Sequence, residues 1–282
     1  MREPVRDAAR IAALDNNRRA WDRLAAEAVP LARPAVDDAF TDPRGWLGSA
    51  GPAGRPWLPA RLAGLDVLCL AAGGGKHGPL YAAAGARVTV FDLSPAMLAL
   101  DRAVARERRI DLEVVEGSMD DLSMFAAGRF DLVVHPVSTC YLPEVADVFR
   151  EVARVTRPGG LYVSQHKSPP SLQARLEPND RGCYELEHPQ RPGAPLPAAP
   201  PSRLRESGTR EYVHSLTALL GGICRAGFTI EDVVEPDAAG PPGGTGAAGH
   251  RAAFLPPYLR ILARRPSAAA IGRGVVLVDS GP

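Results

Sequence analysis

The residues most suited to chemistry form a glycine-rich loop directly after an apolar run. Val67–Leu70 is followed by Ala-Ala-Gly-Gly-Gly-Lys-His-Gly, which places four glycines within residues 73–78. Glycine lets a backbone approach a ligand closely, and the start of a helix offers free N–H groups to a polar or anionic group. Such loops bind ligands at the carboxyl edge of parallel sheets, although a generic turn has the same composition. The loop therefore predicts a binding site and leaves its ligand open.

An acidic residue follows the loop at the spacing of a ribose contact. Asp92 ends the apolar segment 88–91, about twenty residues beyond the glycines, where a carboxylate accepts hydrogen bonds from a ribose diol. The alternative role is local capping of the helix that begins near Ser94 and Pro95. Because the glycine loop precedes Asp92, we favour the ribose contact.

Strands and helices alternate around these residues. The run from about residue 65 to 166 combines short apolar, β-branched segments with amphipathic ones, which predicts a parallel α/β sheet with helices on both faces. Strands are expected at 65–70, 87–91, 112–115, 130–135, 161–165, 228–234 and 257–264, and helices at 79–84, 95–108, 143–156 and 208–226.

Three segments lie outside this alternation. Residues 1–60, with a helix over 5–28 and a Gly/Pro-rich linker at 41–64, are expected to cover the binding site of a main domain at 61–266. Repeated prolines within about 168–207 exclude a long helix and predict an inserted cap, with a disordered loop as the alternative. Residues 267–282 are expected to form a flexible tail.

Composition excludes several classes of protein. The net charge of +1 argues against a nucleic-acid partner, because duplex-binding surfaces carry a basic excess. The four cysteines lack metal-ligand spacing and predict reduced thiols in a cytoplasmic protein. No run approaches the roughly 20 apolar residues of a membrane helix. We expect no membrane association and no metal.

Three further motifs complete a family pattern. Gly117–Asp121 follows the third strand, Phe130–Val133 begins the fourth, and Val155–Gly160 forms an Arg-Pro-Gly-Gly turn before the fifth. With the glycine loop and Asp92, the set resembles the class I, Rossmann-like S-adenosylmethionine-dependent methyltransferases of small-molecule type, over about residues 62–166. The resemblance implies a doubly wound, mostly parallel sheet with an antiparallel last strand, in a monomer or homodimer.

The resemblance also implies cofactor contacts, with S-adenosyl-L-methionine as methyl donor and S-adenosyl-L-homocysteine as product. The N-terminal Trp21 is the candidate to fold over the cofactor, the alternative being simple packing of its helix on the domain. His77, at the helix start, is expected to line the cofactor site. The remaining implied contacts are grouped by the part of the cofactor that each would touch. They are Ala71, Gly73 and Gly75 for the methionine part, Asp92 for the ribose, Leu93, Ser118 and Met119 for the adenine, and His135 facing the methyl group.

The chain departs from the family pattern at three positions. Cys69 stands in place of an acidic residue in the first strand, Ala71 in place of the first glycine, and Ser118 in place of an aspartate, for which Asp120 is the nearest substitute. A carboxylate expected near the cofactor is therefore missing from its usual place. These departures keep open a non-catalytic S-adenosylmethionine-binding or regulatory protein.

Candidate acceptor-facing residues end the fourth and fifth strands. His135 and His166 can each take a proton near neutrality, and Tyr141 can orient an acceptor. The segment 135–141 holds no carboxylate for a metal and lacks the Asn-Pro-Pro-Tyr signature of many nucleic-acid or protein-amine methyltransferases. We therefore expect a small-molecule acceptor methylated at O, N or S, and the composition points to specialised metabolism.

A nicotinamide-dependent oxidoreductase is the alternative from another enzyme class. Gly73, Gly75 and Gly78 match the GxGxxG pattern of dinucleotide-binding loops by number. The motifs at 117–121 and 157–160 favour the methyltransferase instead.

Overall fold

The structure is a computed structural model, and it describes residues 3–48, 56–198, 200, 202, 204–236 and 248–267. Residues 237–247 lie outside the described residues, as does nearly all of the tail expected at 267–282. Among the described residues, no helix is long and apolar enough to cross a bilayer.

One seven-stranded sheet runs through the molecule. Its strands are β1 (Asp66–Leu70), β2 (Arg87–Asp92), β3 (Glu113–Glu116), β4 (Phe130–His135), β5 (Thr156–Lys167), β6 (Thr229–Val234) and β7 (Tyr258–Arg264). They lie in the order β3-β2-β1-β4-β5-β7-β6. The first five are parallel, and β7 pairs antiparallel with both β5 and β6. The doubly wound sheet with an antiparallel last strand is confirmed.

The strand order sets the position of any ligand. From β1 the chain moves outward through β2 and β3, then returns to the other side of β1 for β4 and β5. In open α/β sheets this reversal leaves a crevice at the carboxyl ends of the strands on either side. Here those ends belong to β1 and β4, next to the glycine loop.

Helices cover both faces of the sheet. They are α1 (Glu3–Ala26), α2 (Pro43–Leu47), α3 (His77–Ala83), α4 (Pro95–Arg108), α5 (Ala146–Val155), α6 (Pro169–Gln173), α7 (Leu216–Arg225) and α8 (Ala248–Phe254). One apolar core joins the sheet to α5 and α7, with Phe149 and Ile223 fully buried. The second core joins the other face to α2 and α3, where Leu80 and Tyr81 are buried.

The expected start of α4 is confirmed. The Ser94 hydroxyl accepts a hydrogen bond of 3.1 Å from the backbone N–H of Met97, and Pro95 is the first helical residue. The same hydroxyl donates to Asp22 on α1 at 2.6 Å. One side chain therefore caps α4 and joins it to the N-terminal helix.

Two predicted helices begin later than expected. The segment expected from residue 208 becomes helical only at Leu216, where the Ser215 hydroxyl accepts from the Ala218 N–H at 3.1 Å. Residues before it run extended, since the N–H of Tyr212 donates to the carbonyl of Cys140 at 2.7 Å. Likewise α5 begins at Ala146 rather than residue 143.

The fifth strand is longer than its apolar run. β5 includes the Arg-Pro-Gly-Gly segment that was expected to be a turn. Gly159 has φ +81° and donates its N–H to the Arg265 carbonyl at 2.7 Å, so an irregular strand start pairs with the chain after β7. The linker expected at 41–64 also contains the short helix α2.

Candidate functional site

A cleft of about 330 Å³ opens at the carboxyl ends of β1, β2 and β4. It lies where the strand order reverses, as expected for a ligand site in this architecture. Nine of the predicted site residues line it: Trp21, Ala71, Gly73, His77, Asp92, Leu93, Ser118, Met119 and Tyr141. Gly75, His135 and His166 do not.

The glycine loop is packed too tightly for larger residues. A Cβ atom on Gly73 would lie 2.9 Å from the Met97 Cβ and 3.1 Å from the Asp92 carboxyl carbon. Gly75 has φ +72° and faces Val104 and Pro34, behind the loop rather than in the cleft. Ala71 takes a left-handed backbone with φ +48°, which costs an alanine about 1 kcal/mol relative to glycine.

Asp92 joins the glycine loop to the helix that follows it. Its Oδ2 accepts from the Gly73 N–H and its Oδ1 from the Ser94 N–H, both at 2.9 Å. Burial raises the pKa of Asp92, and these backbone donors oppose that rise. Each carboxylate oxygen has a further lone pair, so the residue can serve both the local capping role and a ligand hydroxyl.

A second carboxylate lies beneath the loop, where sequence reasoning did not place one. Asp101, on α4, is fully buried and accepts the Gly74 N–H at 2.8 Å through Oδ2. Within the described part of the chain, its Oδ1 has no hydrogen-bond partner. Burial raises the pKa of Asp101 to about 7. Burial and then the charge of Asp101 raise the pKa of Cys69, so the two side chains are neighbours. Asp101 therefore places a carboxylate beside Cys69, but it does not line the cleft.

Asp120 does not replace the acid missing at Ser118. Its carboxylate accepts from the Ser118 hydroxyl at 2.5 Å and pairs with Arg10 on α1 through two hydrogen bonds, one of 2.8 Å. It does not line the cleft. Asp120 therefore holds α1 against the loop after β3 and leaves the Ser118 side of the cleft uncharged.

The helix α1 forms the roof of the cleft. Trp21 is half-buried, and its ring meets that of Tyr141 edge-on at 5.8 Å between centroids. The buried Asn17 donates to the carbonyls of Tyr141 at 2.9 Å and Arg210 at 3.0 Å. Both expected roles of Trp21 are thus compatible, because its ring packs on the domain and also lines the cleft.

A buried charge network closes the other end of the cleft. The Tyr141 hydroxyl donates to Oε2 of Glu206 at 2.7 Å, and the ammonium of Lys167 donates to the same oxygen at 2.6 Å. Lys167 also pairs with Glu211, which accepts from Arg205 at 2.5 Å. Glu206 lines the cleft with its side chain 8% exposed. Among the described residues no donor reaches its Oε1, so that oxygen is available to the cleft.

The two candidate histidines do not line this cleft, although His135 lines a second cleft beside it. His135 and His166 are each 1% exposed. The ring nitrogens of His135 contact the Tyr162 hydroxyl at 2.8 Å and the Ser138 hydroxyl at 2.6 Å. Those of His166 contact Thr139 and Ser164. Burial lowers the pKa of His135 to about 3 and that of His166 well below its usual value, so both are neutral and fully engaged by protein groups.

His77 is the histidine that faces the cleft. It begins α3 and is half-buried. Burial, and then the neighbouring Lys76, lower its pKa to about 4, so it is neutral near pH 7. In the described ranges no group of three or more His, Cys, Asp or Glu side chains is arranged to hold a metal ion.

The cleft residues fit an adenosyl ligand with an amino-acid tail. Asp92 offers carboxylate oxygens to a ribose diol, and Leu93 and Met119 offer apolar surface to a base. The backbone of the glycine loop lies at the cleft, because Gly73 packs against Met97 and Asp92 without space for a Cβ atom. Sequence reasoning missed four polar residues that also line the cleft, which are Asn17, Gln165, Glu206 and Tyr258. Glu206 carries no periodic signal because it lies in the proline-rich insertion.

Known proteins share this arrangement. Residues 68–164 match the methyltransferase domain family. The uncharacterised methyltransferase YbaJ of Bacillus subtilis is 37% identical over 184 residues, covering 64% of this chain and 72% of that protein. A ubiquinone biosynthesis O-methyltransferase of Xanthomonas oryzae is 30% identical over 131 residues, which span 55% of its length.

Solved structures agree with the sequence relatives. An S-adenosylmethionine-dependent methyltransferase from Mesorhizobium loti superposes with a TM-score of 0.57 at 25% identity, covering 74% of this chain and 94% of that one. Its similarity extends well beyond the residues of the domain match. With the glycine loop, the Asp92 carboxylate and the strand reversal in place, the chain belongs to the class I, Rossmann-like S-adenosylmethionine-dependent methyltransferases.

Proposed function

We propose that this methyltransferase acts on an O, N or S atom of a small molecule, in specialised metabolism. The observation that carries the proposal is the acceptor end of the cleft, where the Tyr141 hydroxyl and the Glu206 carboxylate face the same space as Asp92. The roof from α1 and the insertion at the other end bound a cleft of a size suited to a small ligand.

In this proposal the residues that the family pattern implies would hold the cofactor. Asp92 would accept the ribose hydroxyls, while Leu93, Ser118 and Met119 would contact the adenine. The loop from Ala71 to Gly73 would pass under the methionine part, with His77 and Trp21 alongside. Bound there, S-adenosylmethionine supplies a methyl group on a sulfonium, an activated leaving group, so the protein has to align the acceptor and exclude water.

Glu206 and Tyr141 orient the acceptor in this proposal. Burial, and then the Glu206 charge, raise the pKa of Tyr141, so its phenol stays protonated. The hydroxyl donates a hydrogen bond to Oε2 of Glu206. Glu206 Oε1 is left to accept a hydrogen bond from an acceptor O–H or N–H. That oxygen is then placed to hold the proton that leaves the acceptor as the new bond forms.

His135 and His166 act as positioning residues in this proposal. Their ring nitrogens fix the hydroxyls of Ser138 and Thr139, which precede Tyr141 after β4. Because both rings are neutral and have protein partners at each nitrogen, we assign the proton-accepting role expected of them to Glu206 instead.

Calorimetric titration with S-adenosylmethionine, S-adenosylhomocysteine and NAD tests the cofactor assignment. We expect the two adenosyl ligands to bind and NAD not to bind. Asp92→Ala removes two charge-assisted hydrogen bonds to the ribose, so it should weaken adenosyl binding by about a hundredfold. Asp92→Asn, which retains one acceptor, should fall between the two.

Asp111→Ala is the matched control, because Asp111 is exposed and does not line the cleft. Thermal unfolding of each variant separates lost binding from lost folding, since Asp92 also holds the Gly73 and Ser94 N–H groups. Binding of NAD alone would reject the proposal. Binding of both adenosyl ligands without methylated product across an acceptor panel would favour the non-catalytic alternative.

A further inference from the structure

A second cleft of about 510 Å³ joins the cofactor cleft. It lies between the α2–α3 side of the sheet and the carboxyl ends of β4 and β5, and its lining includes Tyr81, Val134 and Val163. The two clefts share Lys76, His77, Pro136 and Gln165. A ligand in the second cleft therefore meets the first at these shared residues, beside the end of β4.

The charges around the second cleft have one sign. Arg33, Lys76 and Arg260 line it, and none of the described residues that line it is an Asp or Glu. Asp232 lies behind the wall, where it accepts the indole N–H of Trp57 at 3.0 Å. The cleft therefore presents positive charge without an acidic residue on its surface.

The three cations are held by neutral groups. Arg260 donates from Nε to the Gln165 side-chain oxygen at 2.9 Å, and Arg33 donates from Nε to the Ala28 carbonyl at 2.8 Å. Lys76 donates to the Leu31 carbonyl at 3.0 Å. In the described part of the chain, none of the three forms an ion pair. Among the described residues no acceptor bonds the terminal guanidinium nitrogens of either arginine, which leaves them available to an anion.

The half-buried Lys76 lacks a counter-charge as a result. Burial lowers the pKa of Lys76, since no carboxylate beside it offsets the loss of water. A bound anion would supply the missing charge. Because Lys76 lines both clefts, an anion near it would lie at their junction.

The rest of the wall is apolar and aromatic. Trp46, Trp57, Leu47 and Val36 contribute to it. Trp46 and Val36 are 58% and 57% exposed, which is unusual for side chains of this size and places apolar surface at the rim. Apolar walls with a few convergent charged groups are the usual composition of a small-molecule pocket.

We propose that the second cleft binds the methyl acceptor through a carboxylate or phosphate group on an otherwise apolar body. Arg260 and Arg33 pair with the anion, and Trp46 and Trp57 cover the apolar part. The inference rests on the proposed function, because it makes this cleft the extension of the acceptor end beyond Gln165.

Matched probes test the charge requirement directly. Protein saturated with S-adenosylhomocysteine is titrated with 1-naphthoate, 1-naphthyl phosphate and the neutral 1-naphthamide. We expect both anions to bind and the amide to bind at least about tenfold more weakly, because it keeps the apolar body and loses the charge-assisted bonds. Comparison of the two anions distinguishes a carboxylate from a phosphate acceptor.

Variants locate the binding. Arg260→Gln and Arg33→Gln should each weaken the anions by about tenfold and leave the affinity for S-adenosylhomocysteine unchanged. Arg102→Gln is the control, because this exposed arginine on α4 lines neither cleft. Two arginines are tested separately, so that misfolding of one variant leaves the other informative.

Three results would overturn the inference. The first is equal binding of the amide and the anions, and the second is failure of the anions to bind the protein loaded with S-adenosylhomocysteine. The third is a loss of affinity for S-adenosylhomocysteine in the arginine variants, which would assign the two arginines to the carboxylate of the cofactor. Failure of the wild-type protein to bind any adenosyl ligand would reject the proposed function instead. The naphthyl titrations of the ligand-free protein would then decide anion binding separately.

Discussion

At the scale of single residues, two carboxylates from different elements hold the glycine loop. Asp92, at the end of β2, accepts the N–H of Gly73, and Asp101, on α4, accepts that of Gly74. A fully exposed carboxylate would be ionised at neutral pH, but Asp101 is buried and, among the described residues, its Oδ1 has no hydrogen-bond partner. The loop conformation is thus coupled to the protonation of a residue outside the cleft.

The pH dependence of stability should reveal Asp101. Its folded pKa of about 7 lies above the unfolded value of about 4, so the folded state binds more protons between these pH values. Its contribution to stability is present below pH 4 and lost as the pH rises through 7. Relative to Asp101→Asn, the wild-type protein should lose up to about 4 kcal/mol across this window.

Denaturant unfolding of both proteins at several pH values measures this difference. Asp111→Asn serves as the control, because the exposed Asp111 should change stability little at any pH. A wild-type-minus-variant difference that stays constant between pH 4 and pH 8 would contradict the assignment of the raised pKa to Asp101.

At the scale of elements, the position of the cleft depends on close contact between α3 and β2. A Cβ atom on Gly78, in the first turn of α3, would lie 2.3 Å from Cγ2 of Val90 on β2. Position 78 requires glycine because a side chain there would separate the start of α3 from the sheet. The glycine loop before α3 turns only while the helix start stays close to the sheet. Gly117, after β3, has a similar contact at 2.3 Å from the Phe91 ring.

Gly78→Ala should therefore destabilise the protein by about 1–3 kcal/mol, the usual cost of overpacking. Val90→Ala removes the methyl group that the new Cβ would meet, so the double variant should be less destabilised than the sum of the single variants. A double-mutant cycle from urea unfolding measures the coupling, expected to be about 1 kcal/mol or more. If the changes in the free energy of unfolding were additive, the α3–β2 contact would adjust to the new Cβ atom without a cost in stability.

At the scale of the whole molecule, contacts distant in sequence join the N-terminal helix, the insertion and the sheet. Asn17 on α1 contacts Tyr141 and Arg210, and Lys167 on β5 contacts Glu206 and Glu211. For Lys167, burial alone would lower its pKa, and the two carboxylates outweigh that effect and raise it. The acceptor end of the cleft therefore depends on a buried network rather than on one element.

Lys167→Met should destabilise the protein by about 3–5 kcal/mol, because it leaves the buried Glu206 without a counter-charge and Glu211 with Arg205 alone. Arg150→Met is the control, since the Arg150–Asp147 pair is exposed on α5 and should matter much less. Urea unfolding gives the free energies, and limited proteolysis should show faster cleavage within 196–214 in Lys167→Met. A similar loss in both variants would contradict a special role for the buried network.

Local patterns in the sequence were sufficient to predict nine of the residues that line the first cleft, and most of the sheet. The alternation of strands and helices follows from periodicities within each element. The Ser94 cap and the positions of Ala71 and Gly73 depend on contacts between residues that are near in sequence. The family motifs added the order of the strands. Of the twelve expected site residues, nine line the same cleft.

Only the tertiary structure decided the acceptor end. A strand's period of two does not say which face meets a ligand, so His166 was expected at the site, whereas its neighbour Gln165 lines it. Glu206 reaches the cleft from a proline-rich segment without any periodic signal. The second cleft brings Arg33 and Arg260 together from opposite ends of the chain. Such groupings depend on long-range packing, which no local pattern specifies.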